Sequence, residues 1–151
     1  MRTLLLALLA FVACVAAPLA QAGKPSKTPA SSSDFVDTTC GFAVDVHIIV
    51  DGQSAIAFDN GRVIFAGPFA AQFSANGNSV TLNISGPAIL TQTDDSVTIT
   101  AHGVGVGATR LSDGTLTLAY NSGVISIDPD TGVGTVVHGT THLDLCGALA
   151  P

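Results

Sequence analysis

The feature that most restricts the fold is a period-two alternation of apolar and polar residues that begins after Cys40 and recurs toward the end of the chain. Phe42, Val44, Val46, Ile48 and Val50 fall on one side of an extended chain, with Asp45, His47 and Asp51 on the other. Val80, Leu82 and Ile84 alternate with Thr81, Asn83 and Ser85. Val97, Ile99 and Ala101 alternate with Thr98, Thr100 and His102, and Leu116, Leu118 and Tyr120 with Thr117, Ala119 and Asn121. Successive side chains of a strand point to opposite faces, so each stretch reads as a half-buried strand. Arg62-Val63-Ile64-Phe65-Ala66 is apolar on both faces, as a central strand would be. Further strands are expected near residues 55–58, 69–75, 88–91, 104–109, 124–127, 133–138 and 140–145.

Turn chemistry separates these runs at short intervals. Asp59-Asn60-Gly61 is the strongest signal, because an Asn-Gly pair suits a two-residue hairpin loop. Asn76-Gly77-Asn78, Asp94-Asp95, Ser112-Asp113-Gly114 and Asp128-Pro129-Asp130-Thr131-Gly132 supply others. Composition agrees: all eleven acidic residues are Asp, Glu is absent, and Lys is scarce. Glu and Lys dress exposed helix faces, whereas Asp, Asn and Gly build turns. No helix is expected beyond the first residues. About ten to twelve short strands predict an all-β domain, a single small antiparallel β-barrel with a β-sandwich as the alternative.

The first residues have another character. Met1-Arg2-Thr3 carries one positive charge, residues 4–17 are an unbroken apolar run, and Ala20-Gln21-Ala22 presents small residues at the two positions a signal peptidase reads. Residues 1–22 are therefore expected to be a secretory signal peptide. The run is short of the ~20 apolar residues of a spanning helix, and Pro18 interrupts it. A cell-surface lipoprotein anchored at Cys14 is the alternative, because Phe11-Val12-Ala13-Cys14 loosely matches a lipobox. Residues 23–39 are rich in Pro and Ser without apolar periodicity and read as a disordered linker. Residues 40–147 form the domain.

Export bears on the cysteines. With Cys14 in the signal peptide, Cys40 and Cys146 are left as one pair bracketing the strands, and an oxidising compartment makes them a disulfide. One detail resists this: Cys40 shares parity with the apolar side of its strand, Cys146 with His142 and Asp144. Either a bulge intervenes, or both cysteines lie beyond the paired ladder.

Charge excludes some partners. Lys24, Lys27, Arg62 and Arg110 are the only basic residues past the signal peptide, against eleven Asp. Nucleic acid and anionic membrane surfaces are excluded as partners on that balance, and no membrane insertion is expected after signal cleavage.

The motifs that resemble sites each fail on chemistry. His138 and His142 on an extended chain stand ~13 Å apart, too far to share one metal ion. Asp128-Pro129-Asp130-Thr131-Gly132 lacks the alternating acids and closing carboxylate of a calcium loop. Gly103-Val104-Gly105-Val106-Gly107 is followed by no helix that could hold a phosphate, and alternate Gly in a strand suits close approach of another segment. Gly52-Gln53-Ser54-Ala55-Ile56 begins like a nucleophile elbow and ends in Ile56 instead of Gly. Asp94 and Asp95, as neighbours in a turn, point apart and make a poor glycosidase pair. Asn83-Ile84-Ser85 has the form of a glycosylation sequon. No catalytic, cofactor-binding or metal-binding residue and no cofactor are assigned.

The segment from Cys40 onward resembles small secreted proteins of actinobacteria. The resemblance rests on the starting Cys40, the Gly67-Pro68 step, Asn83-Ile84-Ser85-Gly86-Pro87, and Asp144-Leu145-Cys146-Gly147-Ala148-Leu149. It implies a bacterial exported protein and carries over no site residue. The function expected is a non-catalytic extracellular structural or binding module. The alternatives are a β-barrel carrier of a small apolar ligand and a hydrolase with an Asp/Ser/His site.

Overall fold

The structure is a computed structural model that describes residues 24–92 and 97–151. The expected signal peptide, the Cys14 alternative and the Asp94-Asp95 turn lie outside the described residues.

Eleven strands and one short helix follow in order: β1 (Ser26–Pro29), β2 (Phe35–Asp37), β3 (Val44–Asp51), β4 (Ser54–Ala57), β5 (Arg62–Ala66), β6 (Phe69–Ala75), β7 (Asn78–Asn83), β8 (Ala88–Gln92), β9 (Val97–Arg110), β10 (Leu116–Ile127), β11 (Gly134–Asp144) and α1 (Leu145–Leu149). They make two sheets. One has seven strands in the order β1-β4-β5-β8-β9-β10-β11, the other four in the order β2-β3-β6-β7. The fold is all-β, and among the described residues neither sheet closes into a barrel from one edge to the other.

The two sheets share long bent hairpins. β3 and β4 are separated only by Gly52-Gln53, yet β3 pairs with β6 in one sheet and β4 with β5 in the other. The return bend is Gly67-Pro68, between β5 and β6. Gly67 has φ 138°, and a Cβ there would sit 2.2 Å from the carbonyl oxygen of Gly52, so only Gly lets the two bends nest. A second nest lies where β10 crosses β11. Gly123 (φ 117°) stands opposite Gly139 (φ 141°), and a Cβ on either would strike the other strand's backbone. Past this bend the start of β11 meets the end of β9 in a short parallel pairing, Gly134 beside Thr109 and Thr135 beside Arg110.

The hydrophobic core gathers at one end. Val44, Val46, Ala71, Phe73, Leu118, Leu145 and Leu149 are buried there, with Val80, Leu82, Ile84 and Val106 packed against them. These are the inward positions of β3, β6 and β7, facing β9, β10 and the helix, as period-two alternation demands. Asp144 caps α1: its carboxylate accepts the N–H of Gly147. The side-chain amides of Asn76 and Asn78 donate to the carbonyls of Leu149 and Ala150, both at 2.9 Å, so the helix end is tied to the β6–β7 turn. Cys40 and Cys146 are bonded, with their Cα atoms 5.1 Å apart. The parity conflict resolves in both ways at once. Cys40 lies in the turn before β3 and Cys146 in α1, both outside the ladder, and His142 is an extra residue where the β10–β11 register shifts.

Four expectations are corrected. Residues 23–39, read as a disordered linker, contribute two strands: β1 pairs with β4 and β2 with β3. Edge strands need backbone partners on one side only, so the polar, Pro-containing β1 and the three-residue β2 both suffice. A helix exists after all; at five residues it is too short to display a 3.6-residue period. Asn60-Gly61 is not a two-residue loop. Phe58 N–H donates to Arg62 O and Gly61 N–H to Phe58 O, a three-residue loop with Gly61 at φ 78°. The two-residue loop is Asn76-Gly77, both at positive φ, between the paired Ala75 and Asn78. Finally, the runs expected as separate strands on either side of residues 103, 123 and 139 are single strands bent at Gly.

Candidate functional site

The described residues bring three chemistry-bearing side chains together at the β10–β11 bend. Tyr120 and Ser122 are two apart on β10 and share a face. His142 is the extra residue of the bulge in β11, and its Nε2 lies 2.7 Å from Ser122 Oγ. The Tyr120 and His142 rings are 5.7 Å apart, tilted by 54°. Tyr120 Oη donates to the carbonyl of Asn83 at 3.0 Å, which links the cluster to the end of β7 in the other sheet. His142 is exposed and Tyr120 and Ser122 half-buried, so the cluster is open to solvent.

A serine hydroxyl on a histidine nitrogen is the first contact of a nucleophile–base pair. The contact that orients such a histidine is missing. Asp144, two residues on, accepts from Thr117 Oγ1 and from Gly147 N–H. Among the described residues no carboxylate bonds to His142. A separate polar network lies behind the cluster, where Asn121 is fully buried. Its Nδ2 donates to Thr109 Oγ1 (2.9 Å) and Ala119 O (3.2 Å), and its Oδ1 accepts from Thr141 Oγ1 (2.7 Å). Every polar atom of that amide has a partner, so its work is cohesion between β9, β10 and β11.

The residues weighed from sequence lie elsewhere. His138 is on β11 opposite Val124 and does not join His142 in a ligand set. Among the described residues no group of three His, Cys or Asp could hold a metal ion. Asp128 turns its carboxylate onto its own loop, accepting from Asp130 N–H (2.8 Å) and Thr131 N–H (3.3 Å), which hold it below the usual carboxylate range. Asp113 is lowered by Thr115, first through its N–H and then through its hydroxyl. Asp34 is lowered by the N–H of Ile48 and then by His47, whose Nδ1 lies 2.7 Å from it. Gly103 comes within van der Waals reach of Gly86, the close approach expected of it, while Gly105 and Gly107 face open space. Ser54 pairs along β4 with Pro29 and Ala66. Asn83 Oδ1 accepts from Ser85 N–H, and Ser85 Oγ accepts from Phe69 N–H, so the sequon's polar groups are engaged in shaping the bend between β7 and β8.

Sequence reasoning missed Tyr120, Ser122 and His142 as a cluster, and Asn121 as the centre of the buried network behind it. Period two put Tyr120 on one face of β10, but nothing in the residues announces the bulge that turns His142 toward Ser122. A depression of about 420 Å³ beside the β10–β11 turn, lined in part by Ser126, Asp128 and Thr135, is shallow and open. No helix among the described residues is long and apolar enough to cross a membrane. Comparison of the chain with protein-family models, curated proteins and solved structures yields no match to any of the three.

Proposed function

We propose that the chain is an exported, non-catalytic extracellular module that acts through its surface, as a structural or binding element. The observation that carries this reading is the employment of its carboxylates. Asp is the only acidic residue type the chain has. Asp34, Asp37, Asp51, Asp113, Asp128 and Asp144 each accept a backbone N–H, holding turns, crossovers and the helix cap. A general acid or base needs a carboxyl free to exchange its proton with substrate, and these are committed to the fold. Export is supported by the disulfide, a bond that persists in oxidising compartments. The test is turnover of esterase, peptidase and glycosidase substrates by chain purified from culture medium. Turnover that disappears with Asp144→Asn or His142→Ala, in a variant that keeps its fold, overturns the reading.

The 2.7 Å contact of Ser122 with His142 favours a second reading, a hydrolase that uses this pair without an orienting acid. An active-site-directed phosphonofluoridate decides between them: covalent labelling of Ser122 supports the hydrolase, and an unlabelled serine the module. The carrier reading is the weakest of the three, because Leu145 and Leu149 of α1, both fully buried, fill the space a ligand would take. For the architecture we favour two packed layers over a barrel. β7 and β10 flank α1, which packs against both, so a helix occupies the place where a barrel would have continued its ladder.

A further inference from the structure

We propose that residues 24–37 are an exchangeable arm, and that the β3–β4 edge they cover is a docking surface for the same arm of a second copy of this chain.

The arm stands apart from everything that holds the domain. The disulfide closes the chain from Cys40 to Cys146, and the arm lies outside that loop. No residue of it belongs to the hydrophobic core, which begins in sequence at Cys40. All four residues of β1 are exposed, and Phe35 and Val36 of β2 remain 46% and 54% exposed. Undocking the arm therefore uncovers little apolar surface and leaves the covalent loop closed.

What the arm does supply is backbone pairing, and it supplies it to both sheets. β1 is the edge of the seven-stranded sheet and β2 the edge of the four-stranded one. Removing the arm would bare β4 and β3, two adjoining edges with unpaired N–H and C=O groups, which template the addition of a strand. The matching strand is specified closely. Lys27 pairs with Ile56 and Phe35 with Val46, and between them the crossover is clasped from both sides. Asp34 of the arm accepts from Ile48 N–H at 2.8 Å, and Asp51 of β3 accepts from Ser32 N–H at 2.7 Å. Ala30 N–H also donates to Gln53 O at 3.0 Å. A slip of one residue would break both clasps and reverse the faces of every side chain. The surface thus fits one sequence, the arm itself, and every contact is equally available from a second chain. The turn at Thr38–Gly41, with Gly41 at φ 78° beside the disulfide, is the pivot from which the arm would reach across. Reciprocal exchange of a terminal element gives a closed two-fold dimer.

The test uses chains purified from culture medium, grown with light or heavy isotopes, mixed and concentrated, then treated with a zero-length reagent that joins lysine amines to carboxylates. The dimer fraction from size exclusion is digested and the cross-links read by mass. The expected result is a set of links from Lys24 or Lys27 to Asp51 or Asp59 that pair heavy with light chains. Links that pair only within one isotope overturn the proposal. So does a chain that stays monomeric at the highest concentration it tolerates.

Discussion

The end of the molecule around α1 and the far part of the seven-stranded sheet are both built from apolar strands but reach different burial. Around α1, Val44, Leu145 and Leu149 are fully buried and Phe73 is nearly so, because β3, β6 and β7 face β10 with the helix between them. In the far part, Ile56, Ile64, Ile89, Leu90 and Ile99 are only half-buried, although they line both faces of neighbouring strands and none belongs to the core cluster. Alternation declares which side of a strand is apolar; how much of that side leaves water depends on what packs over it. Stability should therefore be concentrated where the helix is, with the distant strands opening first.

The disulfide belongs to the buried end, so breaking it should produce the largest effect. It closes a loop of 106 residues, worth ~4–5 kcal/mol in the chain-entropy model. Replacing both Cys40 and Cys146 by Ser should lower the free energy of unfolding by about that amount in a denaturant titration, with strand content kept at zero denaturant. Loss of less than about 1 kcal/mol would mean that α1 and its Asn76 and Asn78 ties hold the end without the bond. Next comes Leu149→Ala, which opens a cavity in a fully buried site. A cost of about 3 kcal/mol is expected, with exchange protection lost first in β7 and β10. Ile64→Ala, of similar chemistry in the far sheet, should cost about 1 kcal/mol, since the side chain is already partly in water. Equal costs at Leu149 and Ile64 would erase the distinction between the two regions.

The same contrast explains what could be read from the residues alone. The strands around Val44, Val80, Val97 and Leu116 were legible because one face is apolar and the other polar, a pattern with one solution. The disulfide was legible by elimination. The bends were not: Gly67, Gly123 and Gly139 look like strand interruptions in sequence, and only close approach of a second backbone reveals them as corners. β1 was missed because an edge strand of exposed polar residues leaves no apolar trace, and β2, Phe35-Val36-Asp37, because three residues are too few to show alternation. The contact of Ser122 with His142 was invisible for a related reason, since it depends on a bulge and bulges have no residue signature here.

Acid should produce the smallest effect, and it tests the role given to the carboxylates. Asp34, Asp113 and Asp128 all titrate below the usual range in the folded chain, chiefly because backbone N–H groups bond their ionised form. In the unfolded chain each returns to ~3.9. The folded state then binds fewer protons than the unfolded one through this interval, so stability is fully present above pH ~4 and falls as pH drops through the lowered values. All three groups are solvent-exposed, which keeps each contribution modest. The measurement is the melting temperature between pH 5 and pH 2.5, repeated for Asp128→Asn. That variant retains an oxygen to accept from Asp130 and Thr131 N–H but has no proton to gain, so its curve should be flatter than that of the parent chain. Asp128 sits at the β10–β11 turn, far along the half-buried sheet, and local exchange at residues 126–135 should rise with acid before the residues around α1 respond. Parallel curves for parent and variant would show that the Asp128 loop contributes nothing to the acid response, and a first loss of protection around α1 would reverse the order of stability assigned to the two ends.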